Sequence, residues 1–381
     1  MSSGKRVLIY SEYWASRGGG EKYMVCFAET LLQAGYAVAF IVQEGMFDRD
    51  VLSRYFKVAL DGAEVRAIRG DVGVLRKEYQ RLSHSFDICI YLTNYRFLES
   101  GARQTFFVLQ IPYGRITLLT LFTRLLRGEV REAAKDVFRF HLLRRLQETQ
   151  AVVVYSQFTH DVLERLHNIP STVLPPPIDD FAQEGTPKER VILSVGRFFR
   201  GLYNDKRYDV LIDAFKQLYA RLPQTTWMYR LVGSCGSDPA SQGYLEELRE
   251  AARGFPIYFH VNSPYEELQR HYNEATIFWH AAGFGVDEER HPERAEHFGM
   301  STLEAMSARC VPVVINRGGQ KEIVSHGESG YLWNSVDEMV EYTIGLIENP
   351  TLLGTMQHKA RERFTHYSRD KFAQRVLSLL A

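Results

Sequence analysis

The chain has 381 residues with 46 basic and 46 acidic side chains, so its formal net charge is zero. This length predicts two domains and excludes a single small binding module. Because the net charge is zero, the protein has no overall positive field that would attract the phosphates of nucleic acid. A content of 45% hydrophobic and 13% aromatic residues excludes a disordered chain.

Short apolar runs rich in β-forming residues alternate with helical patterns along the first half of the chain. This alternation is typical of βαβ units built on a parallel sheet. Helices are predicted at 21–33 and 157–167, the second capped by Ser156. Pro175 to Pro177 can continue neither kind of element, so a domain border is expected just after them. The predicted strands are 7–10, 38–42, 87–92, 105–109 and 151–155.

The same alternation begins again at Val191 and continues to the C-terminal part of the chain. The fold class is therefore α/β, with two doubly wound, Rossmann-like lobes on parallel sheets. Because such sheets bind ligands at the carboxyl ends of their strands, we expect the substrate in a cleft between the lobes. The predicted strands are 191–195, 228–232, 257–261, 276–280 and 311–315, with helices at 208–219, 244–253, 264–273 and 301–308.

Three domain segments are predicted from these borders: an N-terminal acceptor-side lobe at 1–182, a donor-binding lobe at 189–365, and a C-terminal helix at 366–381 packed on the first lobe.

No apolar run approaches the roughly 20 residues that span a bilayer, and no secretory signal opens the chain. Four isolated cysteines, without a C-x-x-C pair, are expected to be reduced. A cytoplasmic protein is the expectation.

Three glycines, Gly18 to Gly20, separate the first strand from a helix predicted to begin at Glu21. Glycine lets the backbone approach a ligand closely, and the N-terminus of a helix favours an anion. A plain strand-to-helix turn that needs positive φ explains the run equally well. The spacing matches neither G-x-G-x-x-G nor a P-loop, so neither a nicotinamide site nor a P-loop is predicted.

Two groups of polar residues stand out in the second lobe. Arg197 and Lys206 flank a strand–loop–helix connection and are suited to hold a diphosphate, although charges in loops are more often simply solvated. Glu296 and Glu304 bracket a predicted helix start, where backbone N–H groups can bind hydroxyls or phosphate. Glu304 lies on an apolar helix face, which indicates that it accepts a hydrogen bond.

These segments together resemble the family 4 glycosyltransferases, retaining enzymes of the GT-B fold. The resemblance covers nearly the whole chain in family order and is more specific in the C-terminal half. The segments that carry it are 17–22 (RGGGEK), 191–197 (VILSVGR), Lys206-Arg207, 211–215 (LIDAF), 296–306 (EHFGMSTLEAM), 311–314 (VPVV) and 318–324 (GGQKEIV).

The resemblance implies transfer of a sugar from a nucleotide diphosphate sugar to an acceptor hydroxyl, with the anomeric configuration retained, in polysaccharide or glycoconjugate assembly. Glu296 and Glu304 match the family's E-x7-E motif: Glu296 would contact the donor sugar and Glu304 the ribose hydroxyls. Arg197 and Lys206 would neutralise the donor diphosphate. The other implied donor-binding residues are Gly19, Gly20, Gly233, Val261, Asn262, Phe298, Gly299, Met300 and Ser301.

Two departures from the family pattern concern the acceptor side and the cationic pair. Gln110 stands where many relatives have a histidine, so a histidine-assisted role is in doubt, and Arg17, Glu21 and Gln110 are the expected acceptor-side residues. The segment 198–205 is longer than the compact family loop. This extra length leaves open whether Arg207 takes the place of Lys206 at the donor diphosphate.

No metal site and no cofactor are predicted, the nucleotide sugar being a substrate. The histidine–carboxylate cluster between His280 and His297 fits no metal-ligand spacing.

The RGGGEK and EHFG segments are similar to those of mannosyltransferases, which favours GDP-mannose as donor and leaves a UDP-sugar open. A nucleotide-sugar epimerase of the same architecture and a non-catalytic sugar- or nucleotide-binding protein are the alternatives.

A basic amphipathic stretch at 114–150 combines an apolar stripe with an excess of arginine. Such a segment is suited to lie on an anionic membrane surface, which would make a lipid-linked saccharide the acceptor. An ordinary helix packed on its sheet, with its arginines in solvent, is the alternative. No nucleic-acid partner is expected.

Overall fold

The computed structural model describes residues 4–11, 14, 18–149, 151–200 and 205–380. Two compact units are present: Met1–Pro177 with Arg369–Ala381, and Ile178–Ser368. We call them the first and the second unit. Each contains one parallel sheet, which confirms the predicted α/β class with two Rossmann-like sheets.

The first unit is built on a seven-stranded sheet in which all neighbouring strands run parallel. Its strands are β1 (Arg6–Ser11), β2 (Ala37–Gln43), β3 (Glu64–Ile68), β4 (Ile88–Leu92), β5 (Gln104–Leu109), β6 (Val152–Val154) and β7 (Thr172–Val173). Their order is β3-β2-β1-β4-β5-β6-β7. The central strand β1 is apolar and buried, as expected for a sheet covered on both faces.

Helices connect these strands as crossovers. They are α1 (Gly19–Gln33), α2 (Arg49–Phe56), α3 (Val72–Ser83), α4 (Leu118–Leu126), α5 (Val130–Leu146) and α6 (Gln157–His167). The predicted cap of α6 is confirmed, because the Ser156 side chain accepts a hydrogen bond from the Thr159 backbone N–H. Helix α1 begins two residues earlier than predicted, at Gly19 rather than Glu21.

The second unit has a six-stranded parallel sheet. Its strands are β8 (Val191–Val195), β9 (Met228–Gly233), β10 (Ile257–Val261), β11 (Ile277–His280), β12 (Val311–Ile315) and β13 (Tyr331–Trp333). The order is β10-β9-β8-β11-β12-β13, so the direction of winding reverses between β8 and β11. Ligands of open α/β sheets bind at such a reversal, beyond the carboxyl ends of the strands.

Seven α-helices of the second unit are described. They are α7 (Tyr208–Arg221), α8 (Pro239–Ala252), α9 (Tyr265–Glu274), α10 (Met300–Ser307), α11 (Gln320–Ile323), α12 (Val336–Glu348) and α13 (Pro350–Phe364). Residues of α7, α8, α12 and α13 pack with the sheet in one apolar core. The last helix, α14 (Arg369–Leu380), belongs to the first unit and packs on α1, where the rings of Phe372 and Tyr23 meet edge to face at 5.2 Å.

Candidate functional site

Four adjacent strands of the second sheet end in residues that carry a candidate site. Gly196 follows β8, Gly233 ends β9, Asn262 follows β10 and His280 ends β11. Because the strands are parallel, these four residues lie at the same edge of the sheet. This edge includes the reversal point between β8 and β11, where an open α/β sheet binds its ligand.

The backbones at this edge approach one another closely. A Cβ on Gly233 would lie 1.6 Å from the carbonyl oxygen of Gly196, so only glycine fits there. Asn262 has a left-handed backbone with φ of 57°, and its side-chain oxygen accepts from the Cys235 N–H at 3.0 Å. Asn262 therefore fixes the turn after β10, while the half-buried Val261 ends that strand. Direct contact of either residue with a donor stays a prediction.

An ionic cluster joins the end of β11 to the segments that precede α7 and α10. Lys206, just before α7, donates to Glu296 Oε2, and His280 Nε2 at the end of β11 lies 3.1 Å from the same oxygen. The amide nitrogen of Gln320 lies 3.3 Å from His280 Nδ1. The Lys206 ammonium lies 3.4 Å from His280 Nε2 as well, so this ring nitrogen faces both a carboxylate and a cation.

The charges within this cluster are fixed by the neighbours. Burial alone would raise the pKa of Glu296, but Lys206 and His280 outweigh it and hold that pKa far below its usual value. Burial, with the Lys206 cation, lowers the pKa of His280. At neutral pH the cluster thus holds one cation, one carboxylate and a neutral imidazole. Glu296 engages both neighbours through Oε2, and within the described residues Oε1 accepts no hydrogen bond.

The N-terminus of α10 lies four residues after Glu296. Gly299 precedes its first turn with φ of 115°, and a Cβ there would lie 2.9 Å from Ile323 Cδ1, so this position requires glycine. Phe298 is buried against Tyr367, which leaves its backbone rather than its ring for a ligand. The first turn, Met300 and Ser301, presents the positive end of the helix.

Glu304 lies inside α10 and contacts α9. Its Oε2 accepts a hydrogen bond from the hydroxyl of the fully buried Tyr272 at 2.8 Å. Burial, followed by the Glu304 charge, raises the pKa of Tyr272 well above its usual value, so the hydroxyl remains a donor. The predicted partner for the half-buried Glu304 therefore exists within the protein, and sequence reasoning did not identify it as Tyr272.

The cations of the second unit have different surroundings. Arg197 is exposed, with its guanidinium 5.7 Å from the ring centroid of Phe199, and pairs with no acid in the described part of the chain. Arg207 instead pairs with Asp209 at 3.0 Å and donates to the Phe284 carbonyl at 2.8 Å. Lys206, not Arg207, is thus the cation that reaches Glu296. Residues 201–204 of the predicted longer loop lie outside the described residues.

In the first unit, the glycine run packs against Gln110. Gly18 has φ of −93°, so the turn needs no positive φ, contrary to the alternative considered from sequence. A Cβ on Gly20 would lie 2.8 Å from Gln110 Nε2, so a larger residue here would require the end of the Gln110 side chain to shift. Gln110 donates to the Tyr155 hydroxyl at 2.7 Å and accepts from Asn94 Nδ2 at 3.2 Å.

The other residues predicted for the acceptor or donor in the first unit are placed as follows. The carboxylate of Glu21 accepts from the Gly18 N–H at 2.6 Å and so caps α1. Gly19 is the first residue of that helix. Arg17 lies outside the described residues. The acceptor-side role of Arg17, Glu21 and Gln110, and a donor contact by Gly19 and Gly20, stay predictions.

The histidines and carboxylates between His280 and His297, which the sequence analysis did not assign to a metal, have the following partners. Glu288 accepts from the Gly318 N–H and from Lys321, while His291 pairs with Glu293 at 3.4 Å. His280 faces Glu296 instead.

A family model and several known proteins match this chain. The model of glycosyl transferases group 1 matches residues 178–371. A GDP-Man:Man(3)GlcNAc(2)-PP-Dol alpha-1,2-mannosyltransferase from Xenopus laevis is 28% identical over 230 residues, covering 55% of this chain and 43% of the relative. The chain thus spans less than half the length of that relative.

Two solved structures match nearly the full length at low identity. A glycosyltransferase from Rickettsia africae ESF-5 has a TM-score of 0.69 at 14% identity, with 99% of this chain and 98% of that chain covered. Anabaena Alr3699/HepE, solved with UDP-glucose, has a TM-score of 0.66 at 14% identity, with 98% and 99% covered. These likenesses show the GT-B fold. Since the family model matches half of the chain, and with it the entire second unit, this protein belongs to the glycosyl transferases group 1 family.

Proposed function

We propose that this protein is a retaining glycosyltransferase that moves a sugar from a nucleotide diphosphate sugar to an acceptor hydroxyl. The buried cluster of Lys206, Glu296 and His280 carries the proposal, because it lies at the carboxyl edge of the sheet and four residues before the N-terminus of α10. A fixed cation and a helix N-terminus are both suited to a diphosphate. Membership in the glycosyl transferases group 1 family supports the same activity.

The diphosphate, the ribose and the sugar of the donor each have a proposed partner in the second unit. Lys206, Arg197 and the first-turn N–H groups of α10 would hold the diphosphate. Glu304, oriented by Tyr272, would accept from the ribose hydroxyls. The Oε1 atom of Glu296 would accept from a hydroxyl of the donor sugar, since Oε2 is already engaged by Lys206 and His280.

The chemistry requires that negative charge be stabilised on the departing phosphate. The bond from the anomeric carbon to the diphosphate oxygen breaks, a bond to the acceptor oxygen forms on the same face, and the acceptor proton passes to the departing phosphate. Lys206 and Glu296 neutralise each other, so Arg197 supplies the net positive charge. Cations and N–H groups fixed in advance stabilise such a transition state by several kcal/mol when water is excluded.

GDP-mannose is the donor that we propose. The Xenopus laevis relative is named for GDP-Man, and the sequence segments RGGGEK and EHFG favour the same donor. The Anabaena structure contains UDP-glucose, so a UDP-sugar is the competing donor. A thermal-denaturation series with GDP-, UDP- and dTDP-sugars distinguishes them.

The expected result is a rise in Tm with GDP-mannose that exceeds the rise with the other nucleotide sugars. A ligand at about 100 times its Kd stabilises the folded state by about 2.7 kcal/mol. A larger rise with a UDP-sugar would replace the proposed donor but keep the proposed activity. No rise with any nucleotide diphosphate sugar would contradict the donor site itself.

The surface of α4 supports a lipid-linked saccharide as acceptor. This helix has no buried residue, and its exposed leucine and phenylalanine side chains lie on one face at positions i, i+1, i+4, i+7 and i+8. Such a contiguous apolar face in water marks an interaction surface. Its members are Leu118 (85% exposed), Leu119 (71%), Phe122 (58%), Leu125 (53%) and Leu126 (72%).

Basic side chains surround this apolar face, although some are paired internally. Arg124 bonds to Asp136 at 2.7 Å, and Arg139 is buried against the same carboxylate. Arg127 and Arg131 remain exposed beside the face. This combination complements an anionic membrane surface. No helix among the described residues is long and apolar enough to cross a membrane.

A basic cavity of about 600 Å³ begins just before α4. Arg115, Arg144 and Arg165 line it together with His167. Guanidinium groups are suited to bind phosphate in a bidentate manner. We therefore propose that the acceptor carries a phosphate or diphosphate next to its lipid, in keeping with the PP-Dol acceptor for which the Xenopus laevis relative is named.

Replacing Phe122 with serine is expected to weaken binding to anionic vesicles by about tenfold or more, because a large apolar side chain contributes about 1.5–3 kcal/mol when buried. Sedimentation with phosphatidylserine vesicles at low salt measures the binding. The matched control is Leu377→Ser, which removes an apolar side chain that is 41% exposed on α14. Equal binding by wild type and Phe122→Ser, or no binding by the wild type, would contradict the membrane contact.

A further inference from the structure

A second cluster of ligand-type side chains lies in the second unit, on β10 and α9. His260 is in β10, and Glu267 and His271 are one turn apart on α9. Glu267 Oε1 lies 3.7 Å from His260 Nδ1 and 3.5 Å from His271 Nε2. One ligand atom from each residue lies within 4.8 Å of the other two.

These separations fit a shared metal ion better than direct hydrogen bonds. A hydrogen bond requires about 2.7–3.2 Å between heavy atoms, and both distances exceed that range. Two ligand atoms on a tetrahedral zinc ion, each about 2.0–2.1 Å from the metal, lie about 3.3–3.4 Å apart. The two imidazole centroids are 4.1 Å apart, and the ligand atoms would move closer together on binding zinc.

His271 supplies an independent observation that points to a missing partner. His271 is 2% exposed, and within the described residues neither Nδ1 nor Nε2 has a hydrogen-bond partner. Buried polar atoms in native proteins almost always have a partner, and an exception calls for an explanation such as a bound ion. An ion on Nε2 explains one of the two orphaned nitrogens directly.

The protonation states at neutral pH are those that a metal requires. Burial, with the nearby His260 and Arg230, lowers the pKa of His271 to about 4. Burial and the Arg230 cation also lower the pKa of His260. Burial opposes ionisation of Glu267, but the Ser263 hydroxyl, His271 and Arg270 lower its pKa overall. Neutral imidazoles and an ionised carboxylate are the ligand forms.

Two arginines near the cluster do not prevent a cation from binding. Arg230 is already neutralised by Glu274 and by Glu189 at 2.6 Å. Arg270 lies 3.6 Å from Glu267, but its side chain is 58% exposed and free to turn into solvent. The net charge of the three ligands is that of Glu267 alone, which favours a divalent cation.

We propose that His260, Glu267 and His271 form a zinc site that fastens α9 to β10. Two imidazoles and one carboxylate suit zinc, and three protein ligands leave a fourth position for water. None of the three ligands is a proposed donor-binding residue, although His260 directly precedes Val261 and Asn262, and the test of the site does not depend on the proposed activity. Zinc at His271 would also fix the neighbouring Tyr272, which orients Glu304.

Calorimetric titration of the full-length, chelator-treated protein with Zn²⁺ tests the site, with Co²⁺ absorption as a second readout. We expect one Zn²⁺ per chain, a higher Tm with Zn²⁺ but not with Mg²⁺, and Co²⁺ bands without thiolate charge transfer. Glu267→Gln and His260→Gln should each weaken Zn²⁺ binding by at least about 100-fold, since loss of even an outer partner costs 10- to 100-fold. Both positions are partly exposed, so both variants should fold.

The matched control is His160→Gln in the first unit. His160 Nε2 lies 3.4 Å from Glu164 Oε2 at the same i,i+4 spacing, but Nδ1 is bonded to Ser171 and no third ligand joins the pair within the described residues. This variant should bind Zn²⁺ as the wild type does. Absence of Zn²⁺ binding to the folded wild type, or equal affinity in wild type, Glu267→Gln and His260→Gln, would overturn the zinc site.

Discussion

Replacing Lys206 with alanine is expected to lower kcat for sugar transfer by about 100- to 1,000-fold, the usual cost of removing one fixed group that stabilises developing negative charge. In the structure this ammonium bonds to Glu296 beside His280, at the edge of the sheet that we assign to the donor. Its loss also leaves the Glu296 carboxylate with His280 as its remaining partner. Steady-state kinetics with saturating donor measure the effect.

The unfolding free energy of the same variant reports the loss of the ion pair independently of the loss of catalysis. Removing one partner of a buried pair destabilises by up to about 3 kcal/mol. The wild-type pKa of Glu296 is lowered, so its stabilisation is present above the ordinary value of 4.5 and is lost as pH falls below it. The difference in unfolding free energy between wild type and variant should therefore shrink below about pH 4.5.

Lys359→Ala provides the control for that comparison. Lys359 pairs with Glu362 on the surface of α13 at 3.0 Å, and exposed pairs contribute little. This variant should keep wild-type turnover and near wild-type stability at all pH values. Wild-type turnover in Lys206→Ala would contradict the role of Lys206 at the diphosphate.

Replacing Glu304 with alanine is expected to raise the KM for the donor by about tenfold to 100-fold and to abolish most turnover at low donor concentration. Hydrogen bonds to a charged group contribute about 1.5–3 kcal/mol, and the proposed ribose contact would be lost. Glu304 is half-buried on an eight-residue helix, and alanine favours helices, so the fold should survive. Donor titrations with a circular-dichroism check measure both quantities.

Tyr272→Phe is the matched variant for Glu304. Phenylalanine keeps the buried ring contact with Phe181 at 5.0 Å and removes only the hydroxyl that bonds to Glu304. The carboxylate would remain, less well oriented, so the donor KM should rise less than in Glu304→Ala. Equal KM values in wild type and Glu304→Ala would contradict the ribose contact, whatever the effect of Tyr272→Phe.

The regular elements could be predicted wherever the apolar pattern dominates. Strands β8, β10 and β12 begin and end at the predicted residues, because each is an apolar run with clear flanking breakers. The edge strand β3 was missed, since the charged Glu64 and Arg66 interrupt its apolar residues. Strands β7 and β13 have two and three residues, too few for any periodicity.

Helix starts and site partners depend on contacts that sequence spacing does not reveal. Helix α8 begins at Pro239, five residues before the predicted start, because the side chain of Asp238 caps it through the Ser241 N–H. An N-cap aspartate followed by proline is a signal that could have located this start. The E-x7-E pair identified Glu304 but not Tyr272, which lies 32 residues away along the chain and meets it only after folding.

Product analysis is the most direct test of the proposed activity. The protein is incubated with the nucleotide sugar that gives the largest rise in Tm, once with a lipid diphosphate saccharide as acceptor and once without it. Nuclear magnetic resonance of the products measures nucleoside diphosphate release and the configuration at the anomeric carbon. We expect release to depend on the acceptor and to accompany a new glycosidic bond with the donor's configuration. An altered sugar without acceptor, binding without turnover, or an inverted linkage would each contradict a retaining glycosyltransferase.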